Sequence, residues 1–160
     1  MVRAGVFAAL TALCAWISIP VGDIAFTLQT FAIFLTLGLL GGKWGTVSIL
    51  IYLLLGCVGL PVFSGFRGGF GVLLGVTGGY IWGFLLAGPL YWCFEKLCKP
   101  LGFAVGMLGC YLCGCLWFSL YAGEAGFIAA AVKCVLPYLV PDAAKLVLAY
   151  TLSRRLKKYI

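Results

Sequence analysis

The chain has 160 residues, of which 64% are hydrophobic and 9% charged, with a formal net charge of +7, no histidine and a mean hydropathy of +1.17. Soluble domains carry about 25% charged residues, and no water-soluble core of this size could hide so much apolar surface. A soluble globular protein is therefore excluded, and the lipid bilayer is the expected solvent. A helix needs about 20 residues to cross the hydrocarbon, so six crossings would use roughly 120 residues and leave one all-α membrane domain over 1–160.

In chain order the apolar segments fall at roughly 4–20, 24–41, 45–60, 78–97, 101–122 and 142–157. The first starts almost at Met1, but equivalent segments follow, so it reads as a retained span and not a cleaved signal. The breaks "IPVGD", "GGKWG", "LPVFSGFRGGFG", "CKPLG" and "LPYLVPD" are rich in Gly or Pro. Two intervals, 61–77 and 123–141, are too long for turns yet remain apolar. Irregular backbone at membrane depth needs protein or a water-filled cavity to satisfy it, so these intervals are expected to wall or cover a site.

Charge placement predicts topology. With both termini cytoplasmic, the inner side holds Arg3, Lys43, Lys96, Lys99, Arg154, Arg155, Lys157 and Lys158, and the outer side Arg67 and Lys133, with Lys145 inside the last span. That asymmetry obeys the positive-inside rule and requires an even number of crossings. It accounts for the basic charge without nucleic acid, and implies a multi-pass protein of a bacterial-type cytoplasmic membrane.

Small residues recur every fourth position at Gly71, Gly75, Gly79, Gly83 and Ala87, and again at Ala4, Ala8 and Ala12. Such ladders let helices approach closely in lipid. The glycine ladder reads as internal packing; the alanine ladder could equally face a partner protein.

Catalysis is poorly supplied. Neither G-x-x-x-x-G-K nor G-x-G-x-x-G occurs, so nucleotide-driven work needs another subunit. The only acids are Asp23, Glu95, Glu124 and Asp142, and no nucleophile has a neighbouring base. The eight cysteines lie mostly in apolar segments, and the cluster "CYLCGC" (Cys110, Cys113, Cys115) reads as small packing residues.

"VPDAAKLVLAY" remains. Ionisable groups at membrane depth are costly and suggest function, although Asp142 could simply open the last helix while Lys145 snorkels outward or pairs with it at i,i+3. The outer-end segments add Thr27, Gln29, Thr30, Ser64, Arg67, Thr77 and Tyr80, interleaved with Trp16, Phe26, Phe66 and Phe70. A few convergent polar groups in an apolar cleft suit a small molecule. Arg67 and Lys145 fit a carboxylate, and Asp142 fits N–H donors.

The segments "IPVGDIAFTLQTFAIFL", "GLPVFSGFRGGFGVLLGVTGGYIWGF" and "VPDAAKLVLAYTLSRRLKK" resemble the BioY family, the biotin-specific substrate-binding (S) components of energy-coupling-factor (ECF) transporters. Three blocks in order, spanning about 4–157, carry the resemblance. It implies a six-transmembrane-helix bundle of the S-component type that binds biotin near its outer face and is not an enzyme. It needs no cofactor, ATP being used only by partners: a transmembrane coupling protein and two ABC-type ATPases. By the same resemblance Ala4, Ala8 and Ala12 meet the coupling protein, and Asp142 meets the biotin ring. Gln29, Thr27 or Tyr80 would help bind that ring, with Ser64 among the polar groups nearby. Lys145 or Arg67 would take the carboxylate, unless Lys145 positions Asp142 instead. Val76 departs from the family's expected proline but removes no polar group. Other readings are an S component for thiamine or riboflavin, a membrane thiol oxidoreductase using Cys110, Cys113 or Cys115, and a small channel or assembly factor.

Overall fold

The computed structural model describes residues 1–21, 24–121 and 127–159, side chains at 20, 21 and 24 excepted. Asp23, Glu124 and the end of the "IPVGD" break lie outside the described residues. The order is α1 (Val2–Trp16), β1 (Ser18–Val21), β2 (Ile24–Thr27), α2 (Gln29–Cys57), α3 (Phe70–Leu73), α4 (Gly78–Glu95), α5 (Lys99–Tyr121), α6 (Phe127–Cys134) and α7 (Leu136–Leu156).

By length and apolarity alone, α2 and α5 are long enough to cross a membrane, and the pair α6–α7, bent by 52°, would be a third span. That count takes α2 as a straight rod, which it is not. At Gly41 the backbone turns to φ 76°, ψ 170°, a left-handed conformation that glycine adopts without steric cost. In a straight helix Gln29 and Tyr52 would stand about 35 Å apart. Here Gln29 Nε2 donates to Tyr52 Oη at 2.9 Å. The residues before and after Gly41 are therefore two antiparallel arms, and the "GGKWG" break marks their turn. Glu95 stabilises it by accepting from Gly42 N–H at 3.0 Å. With α1, α4, α5 and the α6–α7 pair, the arms complete six helical legs, as the six apolar segments predict.

The boundaries need correction. Segment 24–41 does not begin as helix: β1 and β2 form an antiparallel hairpin, with Ser18 opposite Thr27 and Ile19 opposite Phe26. Interval 123–141 is not irregular where described, since it holds α6 and the first turns of α7. Pro137 lies in the first turn of α7, where its missing N–H costs nothing. Interval 61–77 is irregular apart from α3, with a bridge between Phe63 and Arg67.

The ladders also resolve. Gly79 and Gly83 sit where an added Cβ would strike α5, on Trp117 and on the Cys110 backbone respectively, whereas nothing lies near Gly71, and Gly75 precedes α4. The packing ladder thus runs from Gly79 to Ala87. The alanine ladder is not an exposed partner face in this conformation. Ala4, Ala8 and Ala12 are buried, α1 packs along α2, and Ser48 Oγ donates to the Ala4 carbonyl at 2.8 Å. Small side chains there let the two helices touch.

Candidate functional site

One end of the bundle encloses a cavity of about 740 Å³, its open mouth included, within the range of small-molecule sites. Its floor is apolar, with Ile81, Phe84 and Met107. Its roof is strand β2 of the hairpin and the segment after α2. All seven side chains expected to meet a ligand line it: Thr27, Gln29, Ser64, Arg67, Tyr80, Asp142 and Lys145, along with Thr30 and Thr77. Of the aromatics expected there, Phe26 and Tyr80 line it, while Trp16, Phe66 and Phe70 do not.

Asp142 does not open the last helix. It lies in the second turn of α7, just after Pro141 within the helix, and both it and Lys145 are only 6% exposed. The snorkelling reading of Lys145 is therefore overturned, because its side chain turns inward. Lys145 Nζ donates to Asp142 Oδ1 and to the Thr27 carbonyl, both at 2.7 Å. It also stands 3.7 Å from the centroid of the Phe26 ring, a cation–π contact. The ammonium has three donors, and these contacts occupy it. Burying an ion pair is tolerable only when such additional bonds satisfy it.

The other carboxylate oxygen, Oδ2, accepts from Tyr111 Oη at 2.7 Å. Tyr111 was not legible as a site residue, since it sits inside "CYLCGC", where the cysteines draw attention. A signal existed: Gly106, Cys110 and Gly114 mark the buried face of α5 at four-residue spacing, and Tyr111 is the polar group adjoining it. A carboxylate accepts about four hydrogen bonds. Two are used within the protein, so Asp142 is fixed in direction and retains capacity to accept.

The remaining polar groups are similarly held. Gln29 is clamped through its amide nitrogen to Tyr52, which itself donates to the Val62 carbonyl at 3.1 Å. Its carbonyl oxygen is the group left for a ligand. Thr27 Oγ1 accepts from Gln29 N–H at 3.3 Å. Tyr80 Oη donates to the Cys134 carbonyl at 2.7 Å, tying α4 to the end of α6. Arg67 is different: it is exposed, and only its Nε is engaged, donating to the Ser64 carbonyl at 3.2 Å. Its Nη groups have no protein partner among the described residues. Cys110 lines the cavity and donates weakly to the Tyr80 carbonyl at 3.7 Å, while Cys113 and Cys115 are free thiols elsewhere on α5.

Comparison with known proteins follows this geometry closely. Residues 1–160 match the BioY family. The "Biotin transporter BioY" of Thermotoga maritima is 42% identical over 99% of this chain and 95% of its own length. The "Probable biotin transporter BioY" of Pyrococcus horikoshii is 40% identical over 94% of this chain and 91% of its own. Among solved structures, the S-component for biotin from an ECF-type ABC transporter superposes with a TM-score of 0.90 at 26% identity, covering 99% of this chain and 90% of that one. The fold is that of the S component of an ECF-type transporter. The chain belongs to the BioY family.

Proposed function

We propose that this protein takes up biotin as the substrate-binding component of an ECF-type transporter, with the cavity as its binding site. The observation that carries the reading is the pairing of a whole-chain family match with a cavity whose chemistry complements biotin. Biotin offers two ureido N–H donors and a carbonyl, an apolar sulfur ring and chain, and a terminal carboxylate. Asp142, held by Lys145 and Tyr111, accepts from a ureido N–H. The Gln29 carbonyl, its amide nitrogen being held by Tyr52, accepts the second, and Phe84, Met107 and Ile81 cover the apolar part.

The carboxylate goes to Arg67. Of the two cations considered, Lys145 has its donors committed to protein groups, whereas Arg67 keeps a free fork at the mouth. Lys145 is thereby a positioning residue for Asp142.

Binding, not catalysis, is the role. The energy for transport comes from a transmembrane coupling protein and two ABC-type ATPases, and the S component itself carries no cofactor. Arg3, Lys157 and Trp44 border one cleft at the end away from the biotin cavity. Together with Lys43 and the Arg154–Arg155 pair, they support a reading in which both termini face the cytoplasm in a multi-pass protein of the cytoplasmic membrane.

Equilibrium binding of labelled biotin to purified protein in detergent, with thiamine and riboflavin as competitors, tests this. Saturable binding displaced by unlabelled biotin and by neither vitamin is expected. Displacement by thiamine or riboflavin would reassign the substrate, and absence of binding by folded protein would remove the assignment.

A further inference from the structure

Phe66 is the one non-glycine residue with positive φ among those described, at 56°. It directly follows Gly65, at φ 71°. Two successive left-handed residues are what Asn-Gly sequences supply at least steric cost. A bulky aromatic is a poor choice for the second place and is kept only where the surroundings hold it. Burial does not explain its retention, because Phe66 is 63% exposed.

Its contact does. The Phe66 ring stacks on Trp16 at the end of α1, with centroids 4.9 Å apart and planes inclined by 26°. Trp16 also donates its indole N–H to the Pro61 carbonyl at 2.7 Å. One side chain therefore grips the loop at its start and at its tip. Between those points the strand-like bridge, with Phe63 N–H donating to the Arg67 carbonyl at 2.9 Å, presents Ser64 and Arg67 to the cavity. The base of the loop is separately fixed by Phe63, buried with its ring edge-on to Tyr52. Trp16 thus governs the tip and not the anchor. It also stands one residue before Ile17, whose carbonyl accepts from Leu28 N–H at 3.2 Å and closes the base of the β1–β2 hairpin. The residue that grips the loop is thus the chain neighbour of the one that closes the hairpin.

We infer that Trp16 and Phe66 form a clasp that holds the Arg67 loop over the cavity and so sets how long a bound ligand is retained, the left-handed backbone at Phe66 being kept for the stack it allows. Its ligand readout rests on the biotin reading above. The clasp itself is a contact between two protein segments and is testable without ligand.

The variant is Phe66→Asn, which tolerates the left-handed backbone but cannot stack. Wild type, Phe66→Asn and Phe66→Tyr are compared by chase of labelled biotin from purified protein, by thermal melting, and by hydrogen–deuterium exchange of amides 61–69 without ligand. The expected result is release faster by roughly three- to tenfold in Phe66→Asn, the range an aromatic pair supplies. Its melting temperature should be unchanged or higher, its loop amides should exchange faster, and Phe66→Tyr should restore both. A residue that merely supported the fold would lower the melting temperature along with retention. Wild-type rates of release and exchange in Phe66→Asn would overturn the clasp. If wild type binds no biotin, the biotin reading fails, and the exchange comparison alone decides the clasp.

Discussion

Two cations border the cavity and are held in opposite ways. Lys145 is buried on α7, with Asp142, the Thr27 carbonyl and the Phe26 ring around its ammonium. Arg67 sits on an exposed loop with one protein hydrogen bond among the described residues. The first arrangement is rigid and self-satisfied, so what it offers a ligand is a carboxylate aimed in a fixed direction. The second leaves charge unspent, so what it offers is attraction for an anion. A cation near a ligand is therefore not by itself a ligand contact. Which of its donors the protein already uses decides the role.

The largest effect belongs to the buried pair. Asp142→Ala leaves Lys145 charged and uncompensated, which costs about 3–5 kcal/mol of stability for buried pairs. Biotin binding should be lost with it. The milder Asp142→Asn keeps an oxygen for Lys145 and should weaken the dissociation constant at least about tenfold, or 1.4 kcal/mol. The sharper experiment is Asp142→Leu combined with Lys145→Met. Replacing both charges by apolar groups is commonly neutral or stabilising, so melting temperature should return towards wild type while binding stays absent. Recovered binding in the double variant would show that the pair only builds the fold.

Arg67→Gln should act on the other half of the comparison. At a water-facing mouth a charge-assisted hydrogen bond contributes about 1.5 kcal/mol, roughly tenfold in affinity. The melting temperature should barely move. Biotin methyl ester, which lacks the charge, should bind wild type and Arg67→Gln equally well. A tenfold loss for the ester as well would mean that Arg67 shapes the loop and does not meet the carboxylate.

How far this was legible in the sequence follows from the same physics. Charges in an apolar chain stand out, so Asp142, Lys145 and Arg67 are legible at once, and Gly/Pro breaks mark the legs. Partnership was less visible. Nothing in "VPDAAK" tells whether the lysine points to water or to a strand 118 residues earlier, because that depends on how the β1–β2 hairpin folds over α7. Tyr111 was hidden for the converse reason, a polar tip on an otherwise apolar ring within a cysteine-rich helix. The alanines show the limit of pattern: four-residue spacing predicts a close-packed face but not what packs on it. Here the face is filled by α2. Ala8→Leu should therefore lower the melting temperature, with overpacking costing about 1–3 kcal/mol. Loss of uptake with unchanged stability would instead return that face to a partner.

The smallest effect separates direction from charge within the buried pair. Tyr111→Phe leaves both ions in place and removes the bond to Asp142 Oδ2 alone. The ion pair still neutralises Lys145, so the fold should lose little more than one hydrogen bond, about 1 kcal/mol. The freed oxygen can then rotate away from the ligand, and biotin affinity should fall by roughly fivefold. The loss should fall on the ring and not on the tail. Desthiobiotin, which keeps the ureido group, should lose affinity by the same factor, and the Arg67-dependent preference for the free acid over its ester should be unchanged. If Tyr111→Phe altered that preference instead, the two cationic regions would be coupled through the carboxylate, and their division into a buried, fixed acceptor and an exposed anion site would fail.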